Sequence, residues 1–252
     1  MRIKVALVGN FTVDVLGLTV KPGGPPLYSG LGIFRAGGVP VLIGKRGRDY
    51  PLHRLPFEYE DASIATDRCT RFSITYEPTG RRKITLLSDA GELPPLKLKG
   101  ELSGVIFNPV HAEVKPHHLN GLDLPVGLDV QGFIRDYSKG DLSYRKFSFP
   151  KREYLVIHLN EDEFEGAGYS VKELFQYGFK EVILSRDRDG FSVYYNLGEI
   201  RLKPSKIGDQ ETGAGDFLLG AYFTLRLSGH PVEAAASRSK ELVEEFTING
   251  IG

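Results

Sequence analysis

The chain has 252 residues, 41% hydrophobic and 25% charged, with 32 basic and 32 acidic side chains and a formal net charge of zero. That length can bury one large α/β domain or two small ones without covalent staples. The balanced charge leaves no field to hold nucleic acid or an anionic membrane surface, and the single cysteine, Cys69, excludes an internal disulfide or a multi-cysteine metal site.

The first apolar run, Lys4-Val5-Ala6-Leu7-Val8, ends at Gly9-Asn10. It is continuous rather than alternating, which predicts a strand covered on both faces in a parallel sheet. The run is too short for a signal peptide or a membrane span, so a cytoplasmic location is expected. Residues 13–20 are β-branched, Lys21-Pro22-Gly23-Gly24-Pro25-Pro26 breaks them, and residues 27–36 take up helical spacing closed by Gly37-Gly38. Residues 39–43 predict the next strand. Residues 50–65, interrupted by Pro51 and Pro56, leave little room for a crossover helix.

Residues 70–76 and 83–87 alternate apolar and polar around Glu77-Pro78-Thr79-Gly80, the pattern of a hairpin with one wet face; Cys69 is expected as a small buried apolar residue in a strand. Residues 104–108, 126–130, 154–159 and 181–185 read as buried strands in a βαβ series. A second hairpin is expected over 191–195 and 199–202, and helices over 217–227 and 232–246. The fold class is therefore α/β: one doubly wound, mostly parallel sheet flanked by helices over 1–252. A small β-lid is expected from about 12–22, 39–50 and 69–89.

Glu211-Thr212-Gly213-Ala214-Gly215-Asp216 stands directly before the helical run at 217. Two glycines let the backbone turn tightly, N–H groups stay unpaired at the helix start, and the macrodipole favours an anion there. A carboxylate beside a phosphate is repulsive unless it accepts a proton from an attacking hydroxyl. The alternative is close helix packing, with Asp216 a first-turn acid complementing the dipole. Spacing alone leaves both readings open.

Thr212-Gly213-Ala214-Gly215-Asp216-Phe217 followed by Gly220-Ala221 resembles the C-terminal signature of the ribokinase (PfkB) family of sugar and nucleoside kinases. The resemblance implies a ribokinase-like fold and ATP-dependent phosphorylation of a hydroxyl on a small polyol, cyclitol, sugar or nucleoside. Asp216 would be the general base, and Gly213, Ala214 and Gly215 would hold the developing charge with their N–H groups. Asn160-Glu161-Asp162-Glu163 is similar to the family's Asn-x-x-Glu motif, which implies Mg²⁺ at Asn160 and Glu163; a solvated acidic helix start is the plainer alternative.

Substrate contacts are expected from Asn10 and Asp14 after the first strand, from Gly23 and Gly24, from Tyr28 where the family often has Asn, and from Gln131. As a plainer alternative, Asp14 caps a turn. Asp129-Val130-Gln131-Gly132-Phe133-Ile134-Arg135 resembles the inositol-kinase-like branch, with Arg135 on the transferred phosphoryl group or, alternatively, paired with Asp136 or Asp141. Nucleotide contacts are expected from Asn160, Ser185, Arg186, Gly190, Thr212, Gly213 and Gly215. The loop Arg186-Asp187-Arg188-Asp189-Gly190 is more charged than is usual in the family. The six histidines show no ligand spacing, and His158 reads as a hydrogen-bonded core histidine. The expected partners are a small hydroxyl compound and a nucleotide, not nucleic acid or membrane, with a monomer or a lid-mediated homodimer. A rival is a weakly catalytic nucleotide- or sugar-binding protein of the same fold. A dinucleotide oxidoreductase is disfavoured because Gly9-Asn10-Phe11-Thr12 is no Gly-x-Gly-x-x-Gly.

Overall fold

The computed structural model describes residues 2–76, 82–138 and 142–251. Strand β1 (Lys4–Val8) is fully buried from Val5 to Val8, as a continuous apolar run requires. A hairpin follows, β2 (Thr12–Leu16) and β3 (Thr19–Gly23), and then α1 (Pro25–Arg35), whose prolines occupy the first turn where no N–H partner is needed. Next come β4 (Val39–Ile43), β5 (Lys45–Gly47), β6 (Glu60–Asp61), β7 (Ile64–Thr66), β8 (Thr70–Tyr76) and β9 (Arg82–Ser88). The expected turn at Glu77-Pro78-Thr79-Gly80 lies outside the described residues.

The second half contains β10 (Gly104–Phe107), β11 (Val126–Asp129), α2 (Gln131–Ile134), the small pair β12 (Arg135–Asp136) and β13 (Ser143–Tyr144), β14 (Tyr154–Asn160), α3 (Glu161–Gly166), α4 (Val171–Tyr177), β15 (Phe179–Ser185), β16 (Phe191–Tyr195), β17 (Gly198–Leu202), α5 (Ala214–Leu227) and α6 (Val232–Asn249). The main sheet runs β17-β16-β15-β14-β11-β10-β1-β4-β6, parallel from β15 to β6 and antiparallel at the β15-β16-β17 edge. The expected hairpin at 191–202 thus extends the main sheet. No helix of the described residues is long and apolar enough to cross a membrane.

The small sheet runs β3-β2-β8-β9. It differs from the expected lid in one part. Residues 39–43 pair in parallel with β1 because Val39, Val41 and Leu42 are buried core residues, and β5 pairs with β7. Cys69 is fully buried but precedes β8 rather than lying in it, and burial pushes its thiol up to about 12.

Helices α1, α5 and α6 cover one face of the main sheet and α4 the other. Contact between α1 and α5 is backbone to backbone: a Cβ on Gly32 would sit 2.2 Å from the Phe217 carbonyl oxygen, and one on Gly220 would sit 2.2 Å from that of Ser29. This close crossing fixes the first turn of α5 against the carboxyl ends of the parallel strands, where ligands gather in open α/β sheets.

Candidate active site

A cleft of about 280 Å³ opens above those strand ends. The small sheet contributes Thr12, Asp14, Phe72, Ile74 and Ile84 to one wall, and the opposite wall comes from Leu202, Val243 and Thr247 of β17 and α6. Asp216 lies between them in the first turn of α5.

The glycine loop is shaped by what stands behind it. Gly213 has φ of 82°, and a Cβ there would lie 2.2 Å from the Tyr28 ring. A Cβ on Gly215 would lie 2.7 Å from Cε1 of His158. Of the N–H groups expected to hold charge, that of Ala214 donates to the Glu211 carbonyl at 3.2 Å. Those of Gly215 and Asp216 stand in the first turn, where helix geometry supplies no acceptor.

Asp216 is held by neutral amides. Its Oδ1 accepts from Asn108 Nδ2 at 2.7 Å and from Gln131 Nε2 at 3.1 Å. Its backbone carbonyl accepts from Ser29 Oγ at 2.7 Å. Burial, and then the nearby Asp129 charge, push the Asp216 carboxyl up to about 7, against the opposing Asn108 bond, His158 and Arg135.

Two buried hydrogen-bonded pairs flank it. His158 Nδ1 lies 2.7 Å from Asp129 Oδ2, and its Nε2 lies 3.0 Å from Ser185 Oγ. Burial alone would lower the His158 pKa, but the Asp129 bond and charge raise it above the ordinary value. Arg135 donates to Glu163 Oε1 from Nε at 3.1 Å and from Nη2 at 2.8 Å. Arg135 therefore lines the cleft with Glu163 as its partner, not Asp136; Asp141 lies outside the described residues.

Asn160 and Glu163 form a capping box at α3: Glu163 N–H donates to Asn160 Oδ1 at 2.8 Å, and Asn160 N–H donates to Glu163 Oε2 at 3.0 Å. Both carboxylate oxygens of Glu163 are thus engaged, and the residue is 1% exposed. Held this way, the pair does not fit the open oxygen ligands that Mg²⁺ takes. A second group, Glu92, His117 and His118, lies close enough to suggest a cation. Its buried member His118 is committed, with Nδ1 accepting from Lys115 N–H and Nε2 facing the carbonyls of Leu93 and Pro94.

The other expected residues divide. Asp14, 9% exposed, lines the cleft with Gly24, Tyr28 and Gln131. Gly23 lies just beneath, where a Cβ would meet Thr12 Oγ1 at 2.6 Å and Asp14 Oδ2 at 2.7 Å. Ser185, Gly190 and Thr212 also line it. Asn10 is fully buried behind the wall, with Oδ1 accepting from Lys45 N–H at 2.8 Å. Arg186 turns to Ser192 Oγ at 2.9 Å and to Glu161 at 3.3 Å. Asn108 and the Asp129–His158 pair were not singled out as site residues by sequence; the signal available was a polar residue ending an apolar strand.

No protein-family model and no curated protein sequence matches the chain at a significant level. Solved structures do. A pyrophosphate-dependent kinase in the ribokinase family, complexed with a pyrophosphate analog and myo-inositol, superposes with a TM-score of 0.78 at 18% identity over 97% of this chain and 95% of that one. The fold is ribokinase-like. Ribokinase from Cryptococcus neoformans var. grubii in complex with ADP matches with a TM-score of 0.70 at 16% identity, covering 98% and 94% of the two chains. Burkholderia thailandensis nucleoside kinase in complex with inosine gives 0.66 at 13%, covering 98% and 91%. At these identities the likeness speaks for the ribokinase-like fold alone.

Proposed function

We propose that this protein is a kinase that transfers a phosphoryl group from a nucleotide, ATP in the first instance, to a hydroxyl of a small polyol, cyclitol, sugar or nucleoside. The observation that carries this reading is Asp216: a carboxylate with a pKa near 7, placed in the first turn of α5 beside first-turn N–H groups. A base poised near the working pH combines correct ionisation with driving force for proton transfer. In the step proposed, the acceptor hydroxyl gives its proton to Asp216 as its oxygen attacks the terminal phosphorus, and the bond to the donor's bridging oxygen breaks. The N–H groups of Gly215 and Asp216 hold the charge on the transferred group.

The walls suggest which partner goes where. The small-sheet wall offers Asp14 for hydroxyls and Phe72, Ile74 and Ile84 for an apolar face, with no lysine or arginine among its described lining residues. The other end combines Arg188, Lys206 and Lys240 with Leu202, Ile207 and Val243, which suits phosphates joined to a base. The Asn160 and Glu163 oxygens are engaged with each other's N–H groups and with Arg135, so the transfer is carried by Asp216 and the loop N–H groups.

The test is a panel of myo-inositol, ribose and inosine as acceptors, each with ATP and with pyrophosphate, with the phosphorylated acceptor measured directly. Transfer to one of these that disappears in Asp216→Asn supports the reading. Tight binding with no transfer to any would favour the binding-protein alternative.

A further inference from the structure

We propose that Asn108 and Gln131 are positioning residues that form a neutral amide clamp on one oxygen of Asp216, fixing which oxygen takes the proton. The proposal rests on the kinase reading for its purpose but on geometry for its existence. Both side-chain amides donate to the same atom, Oδ1, so Oδ2 is the oxygen left to face an acceptor.

The clamp has one direction. Gln131 Nε2 also donates to Asn108 Oδ1 at 2.9 Å, so the Asn108 amide must present Nδ2 to Asp216 and to Ser29 Oγ, which it reaches at 2.9 Å. Turning either amide over would set a carbonyl oxygen against the carboxylate. Gln131 is itself held at the backbone, its N–H donating to Asp129 Oδ1 at 2.9 Å. Asn108 is fully buried at the end of β10 and Gln131 opens α2, so the two donors come from strand and helix ends anchored in the core.

The choice of amides has a chemical consequence. A lysine or arginine bonded to Asp216 would hold it far below neutrality and make it a poor base. Apolar neighbours would leave it protonated at the working pH. Neutral donors stabilise the anion moderately, offsetting burial without cancelling it. The charged groups acting on Asp216 are Asp129 at the end of β11, His158 on β14 and Arg135 on β12, and none of them bonds to it.

The test uses Gln131→Leu, which removes a donor at a partly exposed position, and Asn108→Asp, which keeps the shape but replaces a donor with a carboxylate. Aspartate-labelled protein is titrated by ¹³C NMR, with Asp216→Asn identifying the Asp216 signal. Turnover is followed from pH 5.5 to 9.5 with ATP and whichever acceptor of the panel the wild type uses. Loss of one donor should raise the Asp216 titration and the acid limb of kcat by about one pH unit. Activity lost at pH 7 should return at pH 9, with acceptor KM within about threefold; Asn108→Asp should move both further, by about two units.

An unmoved Asp216 titration in folded Gln131→Leu would overturn the proposal, as would a kcat loss equal at every pH. A pH-independent rise in acceptor KM with normal kcat would overturn it too, making Gln131 a substrate contact. If Asn108→Asp does not fold, Gln131→Leu decides alone. The outcomes separate from the kinase reading: a moved titration in a protein that phosphorylates nothing leaves the clamp standing and removes the kinase. Conversely, activity that needs Asp216 with an unmoved Gln131→Leu profile removes only the clamp.

Discussion

Replacing Asp216 with asparagine should make the protein more stable and nearly inactive at once. The carboxyl titrates near 7 in the folded protein against an ordinary value of 3.8. Between those pH values the unfolded chain has already lost this proton and the folded chain keeps it, so the unfolded state binds fewer protons and stability falls as pH rises. Below about pH 3 the two states are equally protonated and no penalty exists, and at pH 4 only about a tenth of it has developed. Above about pH 7 the full penalty applies, a ceiling of about 4 kcal/mol. Asp216 is partly open to the cleft, and solvent screening reduces this to about 2 kcal/mol.

Asparagine keeps the shape and carries no charge to bury. Asp216→Asn should therefore melt about 4–8 °C above wild type at pH 8, and within about 1 °C of it at pH 4. Turnover should fall by about 10² to 10⁴, as for a lost general base. Differential scanning calorimetry at both pH values, paired with the transfer assay, checks the two together. Equal melting at pH 8 would refute the buried-charge argument, and normal turnover in the folded variant would remove Asp216 from the chemistry.

Other expected outcomes follow from neighbouring contacts. Asp14→Ala should raise acceptor KM about 10- to 100-fold, by loss of a charged hydrogen-bond partner, while donor KM stays within about threefold; weaker donor binding with normal acceptor KM would mean the two ends of the cleft are assigned in reverse. Glu163→Gln leaves the Arg135 guanidinium without its charge partner and should cost about 3 kcal/mol in urea denaturation. Its half-saturating Mg²⁺ concentration should match wild type, and a large increase would show that Glu163 opens to a metal. Gly32→Ala pushes a methyl into the Phe217 carbonyl and should destabilise by about 1–3 kcal/mol, read by the same denaturation; unchanged stability would show that α1 and α5 can separate freely.

How much of the site could be read from the chain depended on whether its cause was local. Gly213 and Gly215 announce themselves because a ring stands where each Cβ would go, and only glycine meets that demand. The strand ends were legible for the same reason: apolar runs such as residues 4–8 state their burial directly. The partner of Arg135 was not legible. Sequence offered Asp136 and Asp141 nearby, whereas folding sets β12 against α3 and brings in Glu163, 28 positions away. Nor was the fate of residues 39–50, since Val39–Ile43 has the same strand signal whether it joins the small sheet or the large one. Asn108 ends an apolar strand without any motif, and only the crossing of α1 and α5 places Asp216 within its reach.

The groups around the cleft floor explain which acid is left without a basic partner bonded to it. Asp129, Glu163 and Asp216 bring acids to the cleft, Arg135 brings a cation, and His158 brings an imidazole whose pKa the Asp129 bond and charge raise. Burying a lone charge is unfavourable by several kcal/mol, so each basic group is drawn into a bonded pair, His158 with Asp129 and Arg135 with Glu163. The remaining acid is Asp216, which has amides rather than a cation as its hydrogen-bond partners. Burial and the Asp129 charge push its carboxyl up to about 7, and the proton of an attacking hydroxyl is the one its position would meet. Converting Gln131 to lysine would pair the third acid as well; the protein should then gain stability at pH 8 and lose its base.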